Sequence, residues 1–218
     1  MITKKLFWDD PYQTEYAATV TNIKGNKVKL DQTIFYAFSG GQHSDEGSID
    51  GIKVVEAIKQ GDKENIVDIE YALEREPEFK VGEVVKVLIN PERRAKLRRL
   101  HSAIHLVYYF MEQKMGELKT VGSDVGPDKA KIEIAWETPI TALLPDIEEK
   151  TNAFLKQNHP IITKYDNTKP DLRWWICGQW KMPCGGTHVR STSEIGQIRL
   201  KRENKGKGKE RVDIYLAE

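Results

Sequence analysis

The chain has 218 residues, with 34 Lys and Arg against 33 Asp and Glu, and two cysteines. This length forms one large domain or two small ones around a real core, and two cysteines exclude a disulfide framework, so a reducing, cytoplasmic setting is expected. A formal net charge of +1 excludes a general polyanion binder. The start, Met1 to Lys5 and then Phe7 and Trp8, does not read as a signal peptide, and no apolar run approaches the length of a membrane span.

The first part reads as strands. Tyr16 to Thr21 and Lys27 to Leu30 flank the turn Lys24-Gly25-Asn26, and Ile52 to Ile58 and Asn65 to Tyr71 flank Gln60-Gly61-Asp62. Val81-Gly82 then leads into Val84 to Ile89. Short strands joined by glycine turns, with no long helix, predict a small N-terminal β-barrel over residues 1–89. Asn90-Pro91 ends that pattern, Asn90 being a suitable cap and Pro91 a tolerated first-turn residue. Leu97, Leu100, Ile104, Val107, Tyr108 and Met111 then recur at helical spacing, and Gly116 is the expected stop. Gly122 to Pro127 reads as a turn and Lys131 to Trp136 as a strand. Asp146 to Asn158 reads as a second helix, followed by strands at Ile161 to Tyr165, Leu172 to Cys177, Ile195 to Lys201 and Arg211 to Leu216. Residues 90–218 are therefore expected to be an α+β domain with helices laid on an antiparallel sheet. Arg202 to Glu210 reads as an exposed hairpin loop.

Charge is clustered where the sum hides it. Arg93, Arg94, Lys96, Arg98 and Arg99 open the first helix, and Arg199, Lys201, Arg202, Lys205, Lys207, Lys209 and Arg211 crowd the end of the chain. Basic patches on a neutral protein point to a specific anionic partner.

Two short pairs carry the chemistry. His101 and His105 lie a turn apart on one helical face, and Cys184-Gly185-Gly186-Thr187-His188 folds a thiol and an imidazole around a glycine turn. Imidazole nitrogen and thiolate sulfur are preferred zinc donors, and four of them complete a tetrahedron. Residues 106 to 183 separate the pairs, so the metal would join elements of an already folded domain, unlike the ion of a small zinc finger. His101 is followed by Ser102, not by the Glu that serves as base in the common zinc peptidases. The other reading keeps two core histidines and a glycine turn that holds a cysteine. A second glycine cluster, Ser39-Gly40-Gly41-Gln42, lets backbone approach a ligand closely while Gln42 offers both donor and acceptor; it also suits a plain turn leaving a strand.

Three pieces in this order, Phe35-Tyr36 with Gly40-Gly41-Gln42 and Asp45-x-Gly47, then His101-Ser102-Ala103-x-His105, then Cys184-Gly185-Gly186-Thr187-His188, resemble alanyl-tRNA editing proteins of the AlaX type. The length is similar to the medium form of that family, and the same module resembles the editing domain of alanyl-tRNA synthetase. Editing domains of threonyl-tRNA synthetases share the two metal pairs without the leading glycine motif.

The resemblance implies a translation-factor-like barrel, one Zn2+ per chain held by His101, His105, Cys184 and His188, and hydrolysis of Ser-tRNA(Ala), with Gly-tRNA(Ala) a further substrate. Ala-tRNA(Ala) would be spared, and neither membrane nor DNA is expected as a partner. A pocket for alanine rejects an added hydroxyl only about a hundredfold, so a second site that rewards the hydroxyl is useful. The resemblance implies a polar serine reader just before the glycine-serine turn, where Thr120 stands two residues before Gly122; a β-branched strand residue is the plain alternative. Gln42 joins Thr120 as an expected catalytic group. Gly40, Gly41, Arg94, Arg98, Lys205, Lys207 and Lys209 are the expected tRNA contacts, those of the cations being to phosphates; a basic helix start and a solvated loop are their alternatives. Ser39 replaces the first glycine of the family's usual triple, and Ile104 stands where synthetase editing domains often carry Thr. With four protein ligands the zinc would be structural; with one displaced it would polarise the ester. A non-catalytic tRNA-binding module stapled by zinc, and a general zinc esterase or amidase, are the rival functions.

Overall fold

The computed structural model describes residues 2–61, 66–169, 172–206 and 208–217. The expected turn at Asp62, the start of its following strand at Asn65, and Lys207 lie outside the described residues. In chain order the strands of the first part are β1 (Lys4–Lys5), β2 (Glu15–Lys24), β3 (Lys27–Leu30), β4 (Gln32–Thr33), β5 (Gly47–Ile49), β6 (Ile52–Gly61), β7 (Ile66–Leu73) and β8 (Val84–Ile89). Helix α1 (Pro91–Met115) follows, then β9 (Thr120–Val125), β10 (Ala130–Ala135), α2 (Leu144–Leu155), β11 (Ile161–Tyr165), β12 (Arg173–Cys177), β13 (Trp180–Pro183), β14 (Ile198–Asn204) and β15 (Lys209–Leu216).

The expected architecture, a translation-factor-like barrel domain followed by an α+β domain of helices laid on one antiparallel sheet, requires correction. Among the described residues the fold is mostly strand with only two α-helices, and the strands are divided among several sheets. β2, β3, β7, β6, β5 and β8 are hydrogen-bonded in circular order, β8 returning to β2. β14-β15-β10-β9 form a four-stranded antiparallel sheet, β11-β12-β13 a three-stranded one, and β1-β4 a parallel pair. Buried side chains form one cluster drawn from residues 6–89 and another from 97–214, but main-chain bonds cross between the two parts. The Gly41 carbonyl accepts from Val125 N at 2.8 Å and His43 N donates to Val125 O at 3.0 Å, which attaches the glycine loop to the end of β9. Hydrophobic periodicity reports which face of a strand is buried, not which sheet it joins, so this stitching was invisible in it.

Helix α1 is the central element. The Asn90 side chain accepts from Glu92 N and Arg93 N, Pro91 takes the first turn, and Gly116 ends the helix at a φ of 86°. Its expected stripe is buried except for Tyr108, which is half-buried, but so are Arg94, His101, Ser102, Ala103 and Leu106, so the helix is enclosed on more than one side. One side packs on Ile132 and Ile134 of β10 and Val212 and Ile214 of β15; α2 leans on it and on β14, where the Asn152 amide bonds both Ile198 N and Ile198 O.

Gly122 to Val125, expected as a turn, is strand β9, paired with β10 through a bulge at Val121. Arg202 to Glu210 forms a hairpin tighter than expected: its strands run on to Asn204 and resume at Lys209, with Arg202 and Glu210 ion-paired across it.

The motif Asp45-x-Gly47 has a structural explanation. Asp45 is buried, accepts from Tyr36 N at 2.7 Å, and is bound by both Nε and Nη2 of Arg94. At Gly47 a Cβ would overlap the Leu88 carbonyl, so only glycine lets β5 lie this close to β8.

Candidate functional site

α1 presents His101 and His105 to the loop after β13, which carries Cys184 and His188. One donor atom from each of the four lies within 4.8 Å of all the others. Cys184 Sγ is 3.4 Å from His101 Nε2 and 3.4 Å from His188 Nε2, and His105 Nε2 is 3.1 Å from His188 Nε2. All three rings thus turn the same nitrogen inward. Sequence separates the pairs widely; the antiparallel return of β12 and β13 brings the loop back over the helix.

Gln42 fixes how His101 is presented. Gln42 Oε1 is 2.7 Å from His101 Nδ1 and accepts from Thr187 N at 2.9 Å, while Gln42 Nε2 donates to Thr187 Oγ1 at 3.0 Å. A backbone N–H can only donate, so the atom facing it is the amide oxygen. The same oxygen therefore accepts from His101 Nδ1, which leaves the lone pair on Nε2, toward Cys184. Gln42 is 0% exposed, and both the oxygen and the nitrogen of its amide have partners.

Burial sets the protonation of the cluster. It lowers His101 to about 4, and lowers His105 and His188 well below the ordinary imidazole value, neighbouring histidines adding to the effect. Neutral imidazole is the form that donates to a metal. Burial pushes the Cys184 thiol up to about 12, opposed by a hydrogen bond from the Gly186 backbone. Converging lone pairs and a thiol that resists ionising make an arrangement that a cation stabilises. The four donors can hold one metal ion.

Glycine is required in the loop at one position in particular. A Cβ on Gly186 would overlap the His101 ring and come within 2.8 Å of Gln42 Oε1. On Gly185 it would meet only the Trp8 ring, at 3.6 Å, an ordinary contact.

The bulge decides where Thr120 points. Gly122 pairs with Glu133 but Thr120 pairs with Ile134, so Thr120 shares the sheet side of Ile134, the side α1 covers. Thr120 is exposed, at the free edge of β9. Gly40 has open space around it, whereas Gly41, at a φ of 85°, packs against Ser123, whose carbonyl a Cβ would approach to 2.8 Å.

The expected phosphate contacts are dispersed. Arg94 is corrected: it is 0% exposed, and besides Asp45 its guanidinium donates to Pro11 O at 3.0 Å and Ile34 O at 2.6 Å. An arginine at a helix start reads as surface charge, but here the glycine-loop segment supplies a buried carboxylate to meet it. Arg98 lies half-buried over the Tyr12 ring, 3.5 Å from its centroid. Lys205 and Lys209 are exposed at the β14–β15 hairpin, Lys205 within 3.2 Å of Glu203. Trp8, beside the metal loop, was not singled out by sequence; no spacing rule links residue 8 to residue 185.

Four convergent His and Cys donors, on a helix and a distant loop, form a cluster that can hold a metal ion, and comparison with known proteins places the chain in the tRNA-editing class. Residues 176–213, which include Cys184 and His188, match the family described as "Threonyl and Alanyl tRNA synthetase second additional domain". Residues 6–93 match "tRNA synthetases class II (A)". Alanyl-tRNA editing protein AlaX-M of Pyrococcus horikoshii is 34% identical over 99% of this chain and 98% of its own length. The AlaX-M protein of Saccharolobus solfataricus is 32% identical over 97% and 98%. An alanine–tRNA ligase of Methanocorpusculum labreanum is 33% identical over 97% of this chain, which spans 25% of the ligase. The chain belongs to the AlaX-M family of alanyl-tRNA editing proteins.

Proposed function

We propose that this chain is a trans-editing hydrolase that deacylates mischarged tRNA(Ala), with Ser-tRNA(Ala) as its principal substrate, and that it spares Ala-tRNA(Ala). The observation that carries the reading is the four-donor cluster in a chain that matches AlaX-M proteins along nearly their whole length. Zinc is the metal assigned to His101, His105, Cys184 and His188. With Zn–N near 2.1 Å and Zn–S near 2.3 Å, a tetrahedral ion requires donor separations of about 3.3–3.6 Å. The two sulfur–nitrogen separations of 3.4 Å fall in that range, and the 3.1 Å between His105 and His188 lies just below it. When bound, zinc supplies a positive centre that anchors the aminoacyl end of the substrate.

The chain's own residues supply the remainder. Gln42 acts through His101, holding its proton on Nδ1, so we read it as a positioning residue. Thr120, on the α1-facing side of β9, is assigned as the reader of the serine hydroxyl. An aminoacyl ester is intrinsically labile, and holding it against a positioned water accounts for much of the acceleration required. Lys205 and Lys209 on the β14–β15 hairpin, with Lys207, Arg98 and the Gly40–Gly41 backbone, are the assigned tRNA contacts; Arg94, sealed against Asp45, is not one of them. Replacing Lys205 and Lys209 with Ala should weaken tRNA binding and flatten its salt dependence by about one unit of slope per lost phosphate contact.

The test is release of labelled serine from Ser-tRNA(Ala) by purified protein, beside Ala-tRNA(Ala) and uncatalysed hydrolysis. Fast loss of serine with alanine retained is expected. No release above background, with salt-sensitive tRNA binding intact, would replace this reading with a non-catalytic tRNA-binding module.

A further inference from the structure

The metal loop from Cys184 to His188 has no regular structure, and groups outside it hold it in place. Cys184 N donates to Arg173 O at 2.8 Å, Thr187 is bound twice by Gln42, and Val189 N donates to Ser102 Oγ at 3.1 Å. The fourth support comes from the other end of the chain: Trp8 Nε1 donates to Gly185 O at 2.7 Å. Trp8 lies in the short 3-10 turn Leu6–Trp8 and is buried. Its own carbonyl accepts from Arg173 Nη2 at 2.7 Å, and its ring meets Phe7 and Tyr165 edge-on at centroid distances of 5.7 and 6.2 Å. The indole therefore has little freedom to move away from Gly185.

The peptide it grips joins the two glycines that follow Cys184. Gly185 C=O and Gly186 N–H belong to one planar unit and point in opposite directions. Trp8 takes the oxygen, so the Gly186 N–H points away from the indole, and Gly186 itself lies against the His101 ring. A peptide between two glycines rotates freely unless something fixes it.

We propose that Trp8 is a positioning residue of the metal centre, its indole N–H locking the Gly185–Gly186 peptide and with it the place of Cys184 among the other three donors. This rests on the reading that the four donors hold zinc. The N-terminal segment is then part of the metal site although it carries no ligand, and its influence passes through a single peptide plane.

The experiment compares wild type with Trp8→Phe, which keeps an aromatic ring and removes the N–H. Zinc affinity is measured by chelator competition and the cobalt-substituted protein by absorption. The variant should bind zinc about tenfold more weakly, the lower end for loss of a group supporting a ligand, and its thiolate-to-cobalt band should shift. A merely structural role would lower the melting temperature and leave that band unmoved. A folded Trp8→Phe with wild-type zinc affinity and an unchanged cobalt spectrum would overturn the proposal. Should the variant not fold, the Trp8 indole N–H of the wild type is followed by NMR: removal of zinc should move its resonance and speed its exchange, and no change in either would overturn it. Wild-type protein that takes up neither zinc nor cobalt would instead overturn the zinc reading, and this proposal with it.

Discussion

Gly186→Ala tests the geometry of the site with one carbon atom. Gly186 is not among the glycines with positive φ, so alanine meets no backbone penalty there and the cost is purely steric. The new Cβ would overlap the His101 ring and approach Gln42 Oε1 to 2.8 Å. Relief to an ordinary contact demands movement of roughly 1.5 Å. His101 cannot yield without leaving both Gln42 and the metal; if the loop yields, Cys184 and His188 are carried away. Overpacking of this kind costs about 1–3 kcal/mol of stability. If the four ligands share about 12 kcal/mol of zinc binding, detaching one removes on the order of 3 kcal/mol, roughly a hundredfold in affinity. Gly185→Ala is the internal control, since its Cβ would touch Trp8 at 3.6 Å and displace nothing. Zinc dissociation constants from chelator competition, with urea unfolding of the same samples, check both variants. Equal zinc affinity in Gly186→Ala and wild type would refute the placement of His101 against the loop.

Cys184→Ala and His105→Ala should each lower bound zinc and abolish serine release; activity retained after loss of the metal would remove zinc from the mechanism. Thr120→Val should cut kcat/KM for Ser-tRNA(Ala) about tenfold, the worth of one hydrogen bond, with zinc content unchanged, and an unaltered kcat/KM would dismiss Thr120 as the serine reader. Arg94→Met leaves Asp45 buried without its partner and should cost about 3–5 kcal/mol in urea unfolding; adding Asp45→Leu should recover part of that, and a loss confined to tRNA affinity would contradict the buried pair. In zinc-free protein, His101 stands at about 4 folded against 6.5 unfolded, so between those values the unfolded chain binds more protons. Stability should therefore fall as pH drops through that window, by up to about 1.4 kcal/mol per pH unit for this histidine; thermal melts of chelator-treated protein that are flat from pH 7 to pH 4 would refute the depressed value.

Local signals were legible wherever one residue type permits only one outcome. Asn90-Pro91 and Gly116 bracket α1, because a cap, a first-turn proline and a left-handed stop act within a single turn of chain. The four metal-site donors could be picked out by type, since few other side chains offer a soft lone pair. Gln42 stood out for its donor and acceptor but not for its use: a buried amide that sets the tautomer of a histidine 59 positions away leaves no periodic trace.

The surface was harder to read than the site. Arg94 and Arg98 look alike in the sequence, one helical turn apart, yet one is sealed against Asp45 and the other lies over Tyr12. The strand β9 was hidden by Gly122, Ser123 and Asp124, turn formers held extended by pairing with β10. Its bulge at Val121, which turns Thr120 to the α1 side, follows from that pairing and not from the residues alone. By itself the sequence determined the donors, the ends of the first helix and the family motifs, because chemistry and capping are properties of a residue and its near neighbours. Only the tertiary structure decided that Trp8, Gln42 and Ser102 converge on one glycine loop, because contacts between distant segments depend on how sheets and helix pack, and many pairings satisfy the same hydrophobic pattern.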